Sequence, residues 1–303
     1  MRELHYHLVD VFTNERFGGN QLAVFADGRN LTDATMQAIA RELNLSETTF
    51  VLPPDDPTCD YRVRIFTPAR ELPMAGHPTV GTAFVLASEH LRGGTEDTVA
   101  WRFQEGVGPI GVTVTLRDGQ PDMIWMRQPP PTFGPVDEDR AAIAQMLTLS
   151  EDDLDPGYPV QEVSTGVPFT FIPLRGLDAA RRARVRMDIW ERHMGDRREN
   201  GLFVFTRETE RAGSTVHGRM FAPAFGIPED PATGAACGPL GCYLVYYGIA
   251  TGRPARIVCE QGIEMGRPSL IHIEVEREAD QFTRVAIGGQ CVRVGHGTLF
   301  VDD

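Results

Sequence analysis

The 303-residue chain contains no lysine, and all 29 of its basic residues are arginine. A pyridoxal-phosphate enzyme needs a lysine for its Schiff base. A Walker A loop needs Gly-Lys-Ser/Thr. Both classes are excluded, even if arginine-only usage merely reflects genomic base composition. Cysteine is scarce too. Cys59, Cys237, Cys242, Cys259 and Cys291 are odd in number, form no C-x-x-C pair and lack zinc-knuckle spacing, so they read as reduced core thiols. No apolar run reaches the ~20 residues that span a bilayer. The longest, residues 235–250, is broken by Gly238-Pro239. Met1-Arg2-Glu3-Leu4-His5 carries no apolar signal core. A cytoplasmic protein with no membrane partner is expected, which makes the N-x-S/T matches at Asn30 and Asn44 chance. Positive charge is short as well. A net charge of −13 repels phosphate backbones and anionic membranes, so nucleic acid is not an expected partner. A small anion is still admissible, because local dipoles can outweigh the global field.

What is present is ordinary in bulk: 42% hydrophobic and 23% charged residues. The length suits two domains of about 150 residues each. Many short segments alternate apolar and polar residues, such as Tyr61-Arg-Val-Arg-Ile-Phe66 and Ile271-His-Ile-Glu-Val275. These read as half-buried antiparallel strands. Helical periodicity is confined to about Asp33 to Leu43, Pro78 to Leu91, Asp137 to Leu147 and Ala232 to Gly248. In the first, Met36, Ile39, Ala40 and Leu43 share a face, Thr32 or Asp33 suits its start and Asn44 its end. The fold class is α+β with sheet in excess.

The two halves resemble each other. Arg64-Ile-Phe-Thr-Pro68 recurs as Arg219-Met-Phe-Ala-Pro223, and Pro73 as Pro228, both at an offset of 155. Phe50-Val-Leu52 matches Phe203-Val-Phe205 at 153, and Gln104-Glu-Gly106 matches Glu260-Gln-Gly262 at 156. Four matches in one order at nearly constant offset imply two copies of a strand-rich domain, each with a central helix. The expected halves are residues 1–120 and 121–303, the boundary falling near Asp118 to Pro131, where Pro129-Pro-Pro131 breaks structure, with the last strand (about 291–301) able to join either. Helix starts in duplicated halves carry free N–H groups and partial positive charge. With Pro78 or Pro231 in the first turn and glycines beside them, such starts bind a carboxylate without a cationic side chain.

Single motifs are weaker. Gly106-Val-Gly-Pro-Ile-Gly111 fits a dinucleotide fingerprint literally, but a strand pattern follows it, Val112 to Leu116, so a hairpin is expected. His5-Tyr-His7 lacks the partners a metal site needs and reads as an exposed strand. Glu47 sits between a helix end and a buried strand. It is either a turn carboxylate or, in a closed apolar cleft, a group able to take and return a proton near neutral pH. His77 lies at a helix start, which disfavours the imidazolium; it either holds the turn or serves as a neutral donor or acceptor. Asp230 lies at a helix start where aspartate commonly caps, a role compatible with a functional one.

Together, Asn44-Leu-Ser-Glu47-Thr-Thr-Phe-Val51, Phe66-Thr-Pro68, Ala75-Gly76-His77-Pro78, Glu229-Asp230-Pro-Ala-Thr-Gly234, Gln261-Gly262 and Met265-Gly-Arg-Pro-Ser269 resemble the PhzF family, from about Val9 to Gly295. The resemblance implies a diaminopimelate-epimerase-like fold of two pseudo-symmetric domains, each a mostly antiparallel sheet wrapped around a central helix, with the active site between them. It implies a homodimer using neither cofactor nor metal. Glu47 is then the general acid/base, while His77 and Asp230 hold a small carboxylate-bearing substrate. Gly76 and Gly234 add backbone contacts, and Asn20, in Gly18-Gly-Asn20, is a further polar contact. Two positions depart from the family pattern. Ala235 stands where Ser is common, which removes a hydroxyl but keeps its N–H. Gln21 stands where Gly-Asn is often followed by Pro. The expected activity is a proton-shifting double-bond isomerisation of an amino or hydroxy acid such as a dihydro-hydroxyanthranilate. The alternatives are a cysteine-dependent racemase or epimerase and a non-catalytic binding dimer on the same scaffold. Gly76 lacks the thiol that a two-cysteine racemase places at the first helix start, and Cys237 has no counterpart.

Overall fold

The computed structural model describes residues 1–90 and 97–302. The chain begins with β1 (Arg2–Val11), β2 (Asn20–Phe25), α1 (Asp33–Leu43), β3 (Glu47–Leu52), β4 (Tyr61–Phe66), β5 (Glu71–Leu72), α2 (Gly76–His90), β6 (Thr98–Glu105), β7 (Gly108–Arg117) and β8 (Gln120–Gln128). It continues with β9 (Thr132–Asp137), α3 (Arg140–Met146), β10 (Val160–Ser164), β11 (Pro168–Pro173), α4 (Leu177–Arg182), α5 (Met187–Met194) and β12 (Gly201–Thr206). Then come β13 (Val216–Ala222), β14 (Ile227–Asp230), α6 (Gly234–Tyr246), β15 (Ala255–Gln261), β16 (Ser269–Glu278), β17 (Gln281–Gly289) and β18 (Cys291–Val301).

Contacts divide the chain into two compact units, residues 1–127 with 287–303, and residues 128–286. The first therefore runs past the expected limit at residue 120, because β8 pairs with β7, and it takes in β18, which pairs with β1 along its length. In the first unit the strand order is β18, β1, β2, β3, β4, β6, β7, β8, with only β2–β3 and β4–β6 parallel. In the second it is β9, β10, β11, β12, β13, β15, β16, with only β11–β12 and β13–β15 parallel. One pairing plan has been used twice. Each parallel pair needs a crossover. Helix α1 makes the first in one unit, α4 and α5 the first in the other, and α2 and α6 make the second.

Those second crossovers are the cores. Every residue of α2 from Gly76 to Ser88 is buried. In α6, Gly234 and all residues from Ala236 to Leu244 are buried. A helix apolar on every face has no side to give to water and must be enclosed. Strands with one polar face supply the enclosure, as the strict alternation of buried and half-buried residues in β16 shows. Around α1, Met36, Ile39 and Ala40 pack with Phe25, Phe50 and Phe66. Thr32 caps α1 by accepting a 3.1 Å bond from Thr35 N, and Asn44 ends it in the left-handed region at φ 50°.

Some boundaries differ from the sequence expectation. Helix α2 begins at Gly76, before Pro78; Leu91, its expected end, lies outside the described residues. Helix α3 begins at Arg140, since Asp137 pairs in β9 with Val160 and Asp139 caps by accepting from Ala142 N. Helix α6 spans Gly234 to Tyr246, inside the expected 232–248. The short helices α4 and α5 carry too little apolar periodicity to stand out. The literal dinucleotide fingerprint is the β6–β7 hairpin, in which Glu105 pairs with Gly108. Among the described residues no helix is long and apolar enough to cross a membrane.

Glycines close both central turns. A Cβ on Gly106 would lie 2.7 Å from Pro73 Cα, and one on Gly262 2.5 Å from Pro231 O and 2.4 Å from Arg267 O. Gly262 also sits at φ +75°. Gly262→Ala therefore combines backbone strain with a backbone collision. Urea unfolding should show a loss of about 1–3 kcal/mol.

Candidate active site

In the first unit, three expected residues converge. Glu47 opens β3 beside Leu22 of the parallel strand β2. Asn20 opens β2, and His77 is the second residue of α2. His77 Nε2 lies 3.2 Å from Glu47 Oε2, and Asn20 Nδ2 lies 3.2 Å from His77 Nδ1. The ring tautomer decides the donor and acceptor roles at His77, where the Asn20 amide and the Gln21 backbone both meet the imidazole. The Nε2–Oε2 approach lies outside hydrogen-bond geometry at rest, as catalytic pairs often do before substrate closes on them. All three residues are buried. Burial drives the His77 pKa down to about 3, although a hydrogen bond to the Gln21 backbone pushes the other way. The imidazole is therefore neutral at physiological pH, with burial, and not the helix start, as the cause. Gly76 directly precedes it, and the first amides of α2 have no carbonyl within the helix to accept them.

The second unit holds Asp230, Gly234 and Ala235. Asp230 does not cap α6 as expected: it ends β14, and Thr233 is the residue before the helix. The Asp230 carboxylate accepts the Thr233 hydroxyl at 2.5 Å. Gln261 locks this turn, donating from Nε2 to Asp230 O at 2.7 Å and to Thr233 Oγ1 at 3.0 Å, while its Oε1 accepts from Thr233 N at 3.1 Å. The Thr233 carbonyl accepts from Ala236 N and Cys237 N, so the amides of Gly234 and Ala235 are the ones the turn leaves for a ligand. Ala235 is half-exposed between buried neighbours.

Sequence reading gave no role to the groups that hold this turn. Gln128, just before Pro129, donates to Gly234 O at 3.0 Å and accepts from Thr165. Arg219, fully buried, grips Glu229 with two bonds of 2.8 Å and donates to the carbonyls of Ala180 and Ala183. His217, also fully buried, lies between Glu260 (3.0 Å) and Glu264 (2.9 Å). Burial opposes its charge, but the two carboxylates win and leave its pKa raised. The residues just before Asp230 and Gln261, Glu229 and Glu260, are thus tied to a buried charge network. The signal available in sequence was the repeat itself: Arg219 and Glu260 lie within its matched segments.

All five cysteines are free, with Cys237 in the buried first turn of α6 and burial the chief cause raising its thiol pKa. Both helix starts carry glycine, Gly76 and Gly234. His5 bonds Thr298 and His7 meets Glu89 at 2.7 Å; among the described residues no cluster suits a metal ion.

Residues 9–297 match the family model for phenazine biosynthesis-like proteins, PhzC–PhzF. An uncharacterized isomerase of Mesorhizobium japonicum is 38% identical, covering 99% of this chain and 100% of that one. The trans-2,3-dihydro-3-hydroxyanthranilate isomerase of Pseudomonas fluorescens is 37% identical over 97% of this chain and 99% of its own. The crystal structure of a PhzF-family phenazine biosynthesis protein from Bacillus anthracis superposes with a TM-score of 0.90 at 26% identity, covering 99% of this chain and 100% of that one. The fold is the diaminopimelate-epimerase-like α+β fold that the motifs implied.

The depressed His77 pKa has a stability consequence. Unfolded, the ring protonates near its ordinary 6.5; folded, only near 3. The stability this group contributes is present above pH 6.5 and drains as pH falls toward 3. Urea titrations should show that His77→Gln loses less stability than wild type between those two pH values.

Proposed function

The chain belongs to the PhzC–PhzF, phenazine biosynthesis-like family, and from that premise we propose that it is an isomerase in which Glu47 shifts a proton on a small carboxylate-bearing substrate. The observation that carries the reading is the buried Glu47–His77–Asn20 arrangement, with a carboxylate oxygen and a neutral imidazole 3.2 Å apart. In the proposed step the Glu47 carboxylate removes a proton from a carbon next to a double bond. The electron pair moves into the adjacent bond, the double bond shifts, and Glu47 returns the same proton to a carbon on the same face. Neutral His77 neither competes as a second base nor cancels the charge of Glu47. It offers a hydrogen bond that tightens as substrate binds. Asp230 and the amides of Gly234 and Ala235 are the proposed holders of the substrate's polar groups, the amides suiting a carboxylate.

The named activity of the Pseudomonas fluorescens relative makes trans-2,3-dihydro-3-hydroxyanthranilate the first substrate to try. Alanine at 235 removes the hydroxyl that serine would offer, so a substrate differing in one hydrogen-bonding group is a natural second. A two-cysteine racemase mechanism has little support: glycine occupies both helix starts, and burial keeps Cys237 a thiol.

The test is solvent exchange. Wild type, incubated in D₂O with trans-2,3-dihydro-3-hydroxyanthranilate and a panel of small amino and hydroxy acids, should introduce deuterium at carbon, read by proton NMR. Glu47→Gln should slow that exchange by about 10²–10⁴, the range a positioned general base supplies. Full turnover by Glu47→Gln on an identified substrate would sink the mechanism. Tight binding with no exchange would favour a binding protein.

A further inference from the structure

Beneath the start of α2 lies a carboxyl group that the proposed chemistry does not use. Glu105 ends β6, is 6% exposed and sits against the first turn that carries His77. Thr79 Oγ1 lies 2.6 Å from Ala75 O and 2.5 Å from Glu105 Oε1. A hydroxyl has one proton, and a backbone carbonyl can only accept. If Thr79 donates to Ala75, the proton in the second short contact must come from Glu105. An ionised Glu105 would have to take the Thr79 proton and leave two oxygens 2.6 Å apart with none between them.

The second unit carries an amide at the matching position: Gln261 bonds Asp230 and Thr233 ahead of its helix, where Glu105 meets Thr79 in the first turn of α2. Gln104-Glu105-Gly106 matches Glu260-Gln261-Gly262, and both glycines pack against a proline of the turn before the helix, Pro73 and Pro231. The turns thus correspond at an offset of 158, not the 155 that pairs Pro73 with Pro228; the same 158 relates Gly76 to Gly234. Gln261 pins its helix start using both the donor and the acceptor of its amide. A protonated carboxyl also has one donor and one acceptor oxygen; a carboxylate has no donor.

We propose that Glu105 works as a neutral carboxylic acid, the counterpart of Gln261, and is a positioning residue that sets the first turn of α2 and through it His77. This rests on the reading of His77 given above. The surroundings agree. The titratable group on the facing turn, His77, is neutral. Arg62 on β4 is engaged with Asp55, and Glu71 on β5 with Arg64. On β7, Gly108 opposes Glu105 and carries no charge. Burial, only partly offset by the Thr79 hydroxyl, raises the Glu105 pKa to about 8.

Glu105→Gln supplies the amide permanently; Glu105→Ala removes both donor and acceptor. An unfolded Glu105 titrates near 4.5 and the folded one near 8, so its stabilisation is complete below 4.5 and drains as pH rises through 8. The stability of Glu105→Gln relative to wild type should therefore grow across that window in urea titrations. Infrared difference spectra at neutral pH should show a protonated-carboxyl stretch in wild type that Glu105→Gln lacks. The His77 ring ¹⁵N signals should shift above about pH 8 in wild type, stay constant in Glu105→Gln and be displaced at all pH in Glu105→Ala. Hydrogen exchange into substrate should decline above about pH 8 in wild type only. The first three readouts need no substrate, so they judge Glu105 even if the isomerase reading fails. No protonated-carboxyl band, or His77 signals with the same pH response in wild type and Glu105→Gln, overturns the proposal.

Discussion

A helix with no polar face governs this molecule twice over. Helices α2 and α6 cannot touch water along most of their length, so in each unit the strands must curve around them, and the chain must cross over to rejoin the sheet. Such a helix offers a ligand unspent backbone donors at its first turn, where N–H groups lack intrahelical acceptors. The candidate residues cluster there for that reason. His77 is in the α2 start, and Asp230 is held by the turn that opens α6. Glycine at Gly76 and Gly234 keeps the backbone approachable.

The two turns are held by different electrostatics. Around Asp230, buried charges come in compensated sets, with His217 between two carboxylates and Arg219 forked onto Glu229. Such sets cost desolvation and recover it only when every partner is present. Around His77, burial wins: it holds the imidazole neutral although the Glu47 carboxyl lies 3.2 Å away, and it raises the Glu105 pKa. The two turns sit in one pairing plan, so the difference between them lies in side chains and not in topology.

Much of this was legible in sequence. The alternation in Tyr61–Phe66 and Ile271–Val275 gave strands because one face of each is buried. The capping residues Thr32 and Asn44 fixed α1 at both ends. The repeat gave the duplicated plan, since equivalent turns need glycine and proline in equivalent places. What escaped were features made by contact across long sequence separations. The three-residue change of register before α6 is invisible until Gly262 is seen against Pro231. Asp230 passed for a cap because capping chemistry is local, whereas its hydrogen bonds from Thr233 and Gln261 are set by β14 and β15. Glu105 stood in a repeat match but carried no chemical signal; that comes from the single proton Thr79 has to share.

The division of the chain bears on how it is made. The second unit is continuous, residues 128–286, while the first is assembled from two separated pieces, residues 1–127 and 287–303. A ribosome working from the N-terminus releases the second unit whole before the first can be finished. Until β18 emerges, the edge of β1 that it will cover has no strand to pair with. An unpaired edge invites association with other chains. The β1 edge thus stays open from its own synthesis until the last strand is made, so the half whose sequence is read first is the last to be closed.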